Sequence, residues 1–207
     1  MRQRWADLQA AVAGCTRCDS GLPDADVDCP PGVLYPTDIA PPSRVRVLFV
    51  GVAPPANGHH FYTDPSDNLR RGLFDVLHEL GRPCRDLEGF ITRGFFLVHT
   101  AKCAIRDTTA PDIRVSKFCS SIHLQREIEC LAPDGLCFLS KKIGFPVCQD
   151  LARRWGSPGR VAFGTLTTLA VGDRPIDVIA TAWPGRGHEA LTRAHVQALF
   201  CRLGLAT

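Results

Sequence analysis

The chain has 207 residues, a formal net charge of +3 and 45% hydrophobic residues, enough for one sizeable core with at most a small appendage. Its longest apolar runs, such as 45–52, are far too short to cross a bilayer, and the opening Met1 to Gln9 lacks the apolar core of a secretory signal, so a cytoplasmic protein is expected. Only four of the 24 basic residues are Lys, leaving 20 Arg; Arg suits bidentate phosphate contact, but a GC-rich genome produces the same bias, so charge alone names no partner.

In chain order, Trp5, Leu8 and Val12 share one face of an opening amphipathic helix that runs into Cys15 and Cys18. Residues 21–43 are rich in Pro, Asp and Gly without periodicity and read as a long irregular surface segment. Residues 45–50 form a buried strand ending at Gly51. Leu69, Leu73, Val76, Leu77 and Leu80 mark a helix stopped by Gly81. A second strand covers 95–100. Val115, Phe118, Ile122 and the 128–131 stretch mark a helix with Cys119 near its start. A third strand at 136–140 is followed by a helix to about Trp155, a last strand at 176–182 and a closing helix at 189–203. Alternation of this kind implies an α/β fold, three layers with a central, mainly parallel four-stranded sheet, and function in loops at the carboxyl ends of the strands. Residues 1–207 read as a single domain, with 1–43 an N-terminal helix and irregular segment.

Four of the ten cysteines carry a ligand pattern. Cys15 and Cys18 are spaced C-x2-C, Cys103 and Cys119 are spaced C-x15-C, and 84 residues separate the pairs. Thiolates in two distant segments suit one soft-metal site closed by folding, either zinc or an iron–sulfur cluster. The other six show no shared spacing and read as small core residues. A ferredoxin-like carrier is disfavoured, because its cysteines cluster in short runs.

Three loops follow the strands: 51–64, the segment after 98–103, and 182–188. None has the glycine pattern of a Rossmann or P-loop phosphate cradle. Together with the cysteines they resemble the iron–sulfur uracil-DNA glycosylases, families four and five of that superfamily and closer to five, over about residues 10–203. Gly51-Val52-Ala53-Pro54 is similar to the family-five Gly-Leu-Ala-Pro loop, Phe61-Tyr62-Thr63-Asp64 to its Phe-Thr-Gly-Asp, and Lys102-Cys103 with Cys119 reproduces its cysteine step.

The resemblance implies a uracil-DNA glycosylase-like fold, a monomer acting on DNA, and a [4Fe-4S] cluster on Cys15, Cys18, Cys103 and Cys119 that pins the N-terminal segment to the body; zinc fits the same thiolates. It implies hydrolysis of an N-glycosidic bond after base flipping. Gly51, Val52, Ala53, Phe61, His99 and Trp183 would line the base site, with Phe61 the stacking floor unless it is an ordinary core ring. Asp64 would stabilise the sugar cation or position water, with Asp67 as fallback. Arg186, between Gly185 and Gly187, would contact DNA.

The departures shape the substrate. Val52 stands where family four has Glu, His99 and Thr108 where it has Asn, and the His-Pro-Ser loop reads Trp183-Pro184-Gly185. Losing an imidazole donor to the leaving base commonly costs about 3 kcal/mol of transition-state stabilisation. His188 is the candidate replacement. Two readings follow: a glycosylase for a base other than plain uracil, such as a deaminated purine or a modified pyrimidine of phage DNA, or a catalytically inactive iron–sulfur DNA-binding protein of the same fold.

Overall fold

The computed structural model describes residues 2–22, 24–25, 27–28, 39–55, 60–105, 112–157, 161–185 and 187–206. Its centre is a sheet of β2 (Val47–Gly51), β3 (Phe95–His99), β5 (Gly135–Leu139), β6 (Thr167–Val171) and β7 (Arg174–Thr181), in the order β3-β2-β5-β7-β6. The first four in that order run parallel and β6 is antiparallel to β7. Helices flank the sheet, giving the expected α/β architecture with five strands in place of four. Strand β6 falls in the stretch broken by Arg and Gly, and its exposed Thr168 and Ala170 give it the alternating pattern of an edge. Strands β2, β3 and β5 are buried along their whole length, although β3 lies at an edge of the sheet, which is why they read as unbroken apolar runs.

Helix α1 (Arg2–Ala13) buries Trp5, Leu8, Gln9 and Val12, and the Trp5 ring meets Phe96 edge-on at 5.5 Å. Two short helices have too little periodicity to show in the sequence: α2 (Arg17–Gly21), and α4 (Leu87–Thr92), capped by Asp86. Helix α3 (Asn68–Glu79) is capped by Asp67, whose carboxylate accepts the Arg70 N–H at 2.8 Å. Helices α5 (Ile113–Cys119) and α6 (Gln125–Leu131) are one continuous rod joined by a π-turn over Ser120–Leu124, closed by the Gln125 N–H bonding to the Ser120 carbonyl. Helices α7 (Gly144–Arg154) and α8 (Glu189–Arg202) complete the layers, both against β5 and β7, while α3 packs on α8 and α1 on α6. No helix among the described residues is long and apolar enough to cross a membrane.

The N-terminal segment is tied to the body twice. Strand β1 (Val27–Asp28) pairs antiparallel with β4 (Ala104–Ile105). Beneath that pair Leu22, Ala25, Val27 and Ala53 pack on a small apolar cluster of Ala101, Ile105, Val115 and Cys119.

Candidate active site

Strand β2 is followed in sequence by β3 on one side and by β5 on the other, so the strand order reverses at β2 and opens a crevice at the carboxyl ends, where α/β sheets bind ligands. Gly51 and His99 are register partners at that end. The His99 ring lies directly over Gly51, where a Cβ would come within 2.9 Å of its Cδ2. Burial above all, then His60 and Lys102, holds the His99 imidazole well below its ordinary range, so it is neutral. His60 meets His99 edge-on at 5.2 Å and is lowered by burial to about 4. Its Nδ1 accepts the Tyr62 N–H at 3.2 Å, which places its proton on Nε2. Both rings are 3% exposed and line a small cavity of about 10 Å³ closed by Trp5 and Gln9 of α1 and by Tyr62.

The loop from β2 is pinned from behind. Thr100 Oγ1 donates to the Val52 carbonyl at 2.6 Å, the Ala101 N–H reaches the same oxygen at 2.9 Å, and Ala53 packs on the cluster that contains Cys119. Lys102 is 1% exposed and forms an ion pair with the fully buried Glu127. The Lys102 ammonium also donates to the His99 carbonyl at 2.5 Å, its backbone N–H donates to Cys119 Sγ at 3.2 Å, and Gln9 Nε2 reaches Glu127 at 3.4 Å. One buried charged pair therefore links α1, α6, the end of β3 and the thiol region.

Phe61 is 1% exposed and packs edge-on against Phe74 and Phe90, at 6.1 and 5.4 Å, inside the main core. Asp64 is half-buried and accepts both the Ser66 N–H and the Ser66 hydroxyl at 2.8 Å, which fixes its carboxylate beside Asp67 and Arg70. Asp67 is occupied as the cap of α3.

Trp183 is half-buried against the core in the loop after β7. Helix α3 seats on that loop so closely that a Cβ on Gly72 would lie 1.5 Å from the Pro184 carbonyl oxygen. His188 is exposed at the N-cap of α8, its N–H donating to the Gly185 carbonyl at 3.0 Å. Arg186 and Thr108 lie outside the described residues.

Sequence reasoning missed His60, Glu127 and Ser140. Ser140 directly follows β5 at its carboxyl end with φ 125°, one of two non-glycine residues at positive φ among those described. Its N–H donates to the Thr181 carbonyl at 2.9 Å, holding a costly backbone angle at the switch point. No sequence pattern marks such a serine; His60 adjoins Phe61, and Glu127 is one of three charged residues in α6, with nothing in the sequence to mark it as the buried one.

For the thiols, Cys18, Cys103 and Cys119 are buried and Cys15 is half-buried. Cys18 lies close enough to Cys119 to raise its pKa, although burial is the main cause that pushes the Cys119 thiol up to about 12. Among the described residues no three His, Cys, Asp or Glu side chains converge as a metal-holding group. The segments are brought together; the side chains do not close on a common point.

The mostly parallel five-stranded sheet flanked by helices, with loops gathered at its carboxyl ends, defines the class of α/β folds that place ligands at a switch point. Residues 37–186 match the model of the uracil DNA glycosylase superfamily, and the chain belongs to that superfamily. Membership supports a DNA glycosylase and, with it, DNA as the partner. No curated protein matches the chain.

Proposed function

We propose that the chain hydrolyses the N-glycosidic bond of a flipped nucleotide whose base is not plain uracil, a modified pyrimidine of phage DNA or a deaminated purine being the candidates. The observation that carries this reading is the neutral His99 ring over Gly51, backed by His60, where the resemblance to family four leads one to expect an amide. An imidazole reads a different base edge from an Asn, which presents a donor and an acceptor together. Trp183 in place of a loop His adds bulk and supplies one donor without an acceptor. Asp64, fixed by Ser66, provides the negative charge that bond cleavage needs beside the developing sugar cation. His188, at the head of α8, is the proposed donor to the departing base.

A [4Fe-4S] cluster on Cys15, Cys18, Cys103 and Cys119 is part of the proposal, with zinc as the alternative. The docking of β1 on β4 and the nearness of Cys18 to Cys119 support it, and bound metal would draw the remaining thiolates into place, since metal sites commonly form only with the ion. Its contribution is to hold the N-terminal segment on the body. Anaerobically purified protein is expected to be brown, with absorbance near roughly 400 nm from thiolate-bound iron. Cys103→Ser and Cys119→Ser should each abolish the iron, and Cys148→Ser should leave it; colourless protein with one zinc per chain would reverse the metal assignment.

The function is tested by offering oligonucleotides carrying uracil, hypoxanthine or modified cytosines and scoring alkali-labile abasic sites. Weak cleavage of uracil and strong cleavage of another base are expected. On that substrate Asp64→Asn should slow single-turnover cleavage by roughly a hundredfold or more without weakening DNA binding, because the charge acts in the chemical step. Strong uracil excision would refute the pocket reading, and an Asp64→Asn protein as fast as the wild type would move the role to His188. The second reading, a DNA-binding protein without catalysis, is favoured by the closed packing around Phe61, which leaves a base no ring face to stack on. It predicts DNA binding with no abasic sites from any substrate.

A further inference from the structure

At the amino ends of β2 and β3, opposite the crevice, lies a groove of about 750 Å³ lined by Arg2, Arg44, Arg46, Arg82 and Arg93 and by no Asp or Glu among the described residues. We propose that this groove is a second nucleic-acid site, which holds the phosphodiester backbone of a DNA segment other than the one at the catalytic end. The inference rests on the reading of the chain as a DNA-acting protein.

Three observations carry it. Five arginines line one groove in a chain whose net charge is only +3, so positive charge gathers there. Like charges gathered in this way repel, and a bound polyanion relieves the repulsion. The arrangement is also built. Gly94, at φ 81°, lets the Arg46 side chain cross its Cα, where a Cβ would stand 2.6 Å from Arg46 Cγ, and the Arg46 N–H bonds the Gly94 carbonyl at 2.7 Å. Arg82 is braced by donating from Nε to the Leu205 carbonyl at 2.9 Å, and Arg93 Nε by donating to the Pro83 carbonyl at 3.2 Å. Each brace engages part of the fork and leaves further N–H donors. Arg44 is the exception, paired with Asp134 at 2.9 Å.

Pro41, Pro42 and Ile91 give the groove an apolar part of its lining, which suits the sugar faces between phosphates. A duplex engaged at the carboxyl ends reaches the amino ends only by doubling back, and DNA resists that over lengths well below its persistence length of about 150 base pairs. The groove therefore serves a separate segment, and one protein molecule bridges two.

The test is capture of a fluorescent 20-base-pair duplex by protein already bound to an immobilised, unlabelled 20-base-pair duplex, at low salt. Wild-type protein should capture the second duplex. The double variant Arg46→Gln/Arg93→Gln should capture it at least tenfold less well, with single-duplex affinity changed less than twofold and the circular dichroism of the wild type. Losing two phosphate contacts should also lower the salt slope of capture by about two. Capture by the variant equal to wild type, or no capture by the wild type, would overturn the proposal. Base excision is scored on the same preparations: cleavage without bridging removes this inference alone, and bridging without cleavage removes the catalytic reading alone.

Discussion

Lys102→Met should cost about 3–5 kcal/mol of unfolding free energy, the usual loss when one member of a buried ion pair is removed. Glu127 has no exposed surface, so its carboxylate would be left without its cation in the core. Stabilities of whole domains run to only about 5–15 kcal/mol, so this single change would bring the protein close to unfolding at ordinary temperature. The double variant Lys102→Met/Glu127→Leu removes both charges and should recover most of the loss, because apolar side chains of similar volume can replace a buried pair at little cost. Chemical denaturation of the two variants decides the matter. A Lys102→Met protein within about 1 kcal/mol of wild type would show that the pair does not hold α6 to the end of β3.

Gly72→Ala should be nearly as damaging. Alanine favours a helix over glycine by about 1 kcal/mol, so in an open helix the change would stabilise. Here the new methyl would stand 1.5 Å from the Pro184 oxygen and 2.7 Å from its carbon. Alanine has no rotamer to rotate away and the obstacle is backbone, so α3 or the loop must move. We expect a net loss of about 3 kcal/mol, at the upper end for overpacking, which corresponds to a fall in Tm of roughly 6–12 °C for a chain of this size. Arg71→Ala, one residue away and exposed, should leave Tm within about 2 °C, as surface changes commonly do. Because the same seam positions Trp183, base excision by Gly72→Ala should fall by more than its unfolded fraction explains.

The sheet was legible because β2 and β3 are buried on both faces, so Val47 to Val50 and Phe95 to Val98 announce themselves without any alternation. The edge strand β6 was not, since Thr and Ala facing solvent look like loop. The candidate site residues were partly legible for a similar reason. Gly51 closes β2, and Asp64 and Trp183 sit in loops whose composition is odd enough to single out. His60 and Glu127 are defined by what the fold lays against them from far away in sequence, as Gln9 is laid against Glu127 across 118 positions. Phe61 shows the opposite limit: its place in a loop motif was readable, while its burial among Phe74 and Phe90 depends on three separate elements.

The π-turn between α5 and α6 has a bearing on how this helix can vary. In an unbroken α-helix, eight residues leave Cys119 and Glu127 about 80° apart around the axis. The wide turn at Ser120–Leu124 holds an additional residue and delays the rotation, bringing the thiol and the carboxylate toward one face. Both side chains meet Lys102, one through its backbone and the other through its ammonium. A one-residue deletion anywhere in that turn would leave every amino acid of the pair intact and yet aim the two groups in different directions. Spacing along this segment is thus as much a part of its information as the identities of the residues, and homologous chains that keep the pair should keep the surplus residue with it.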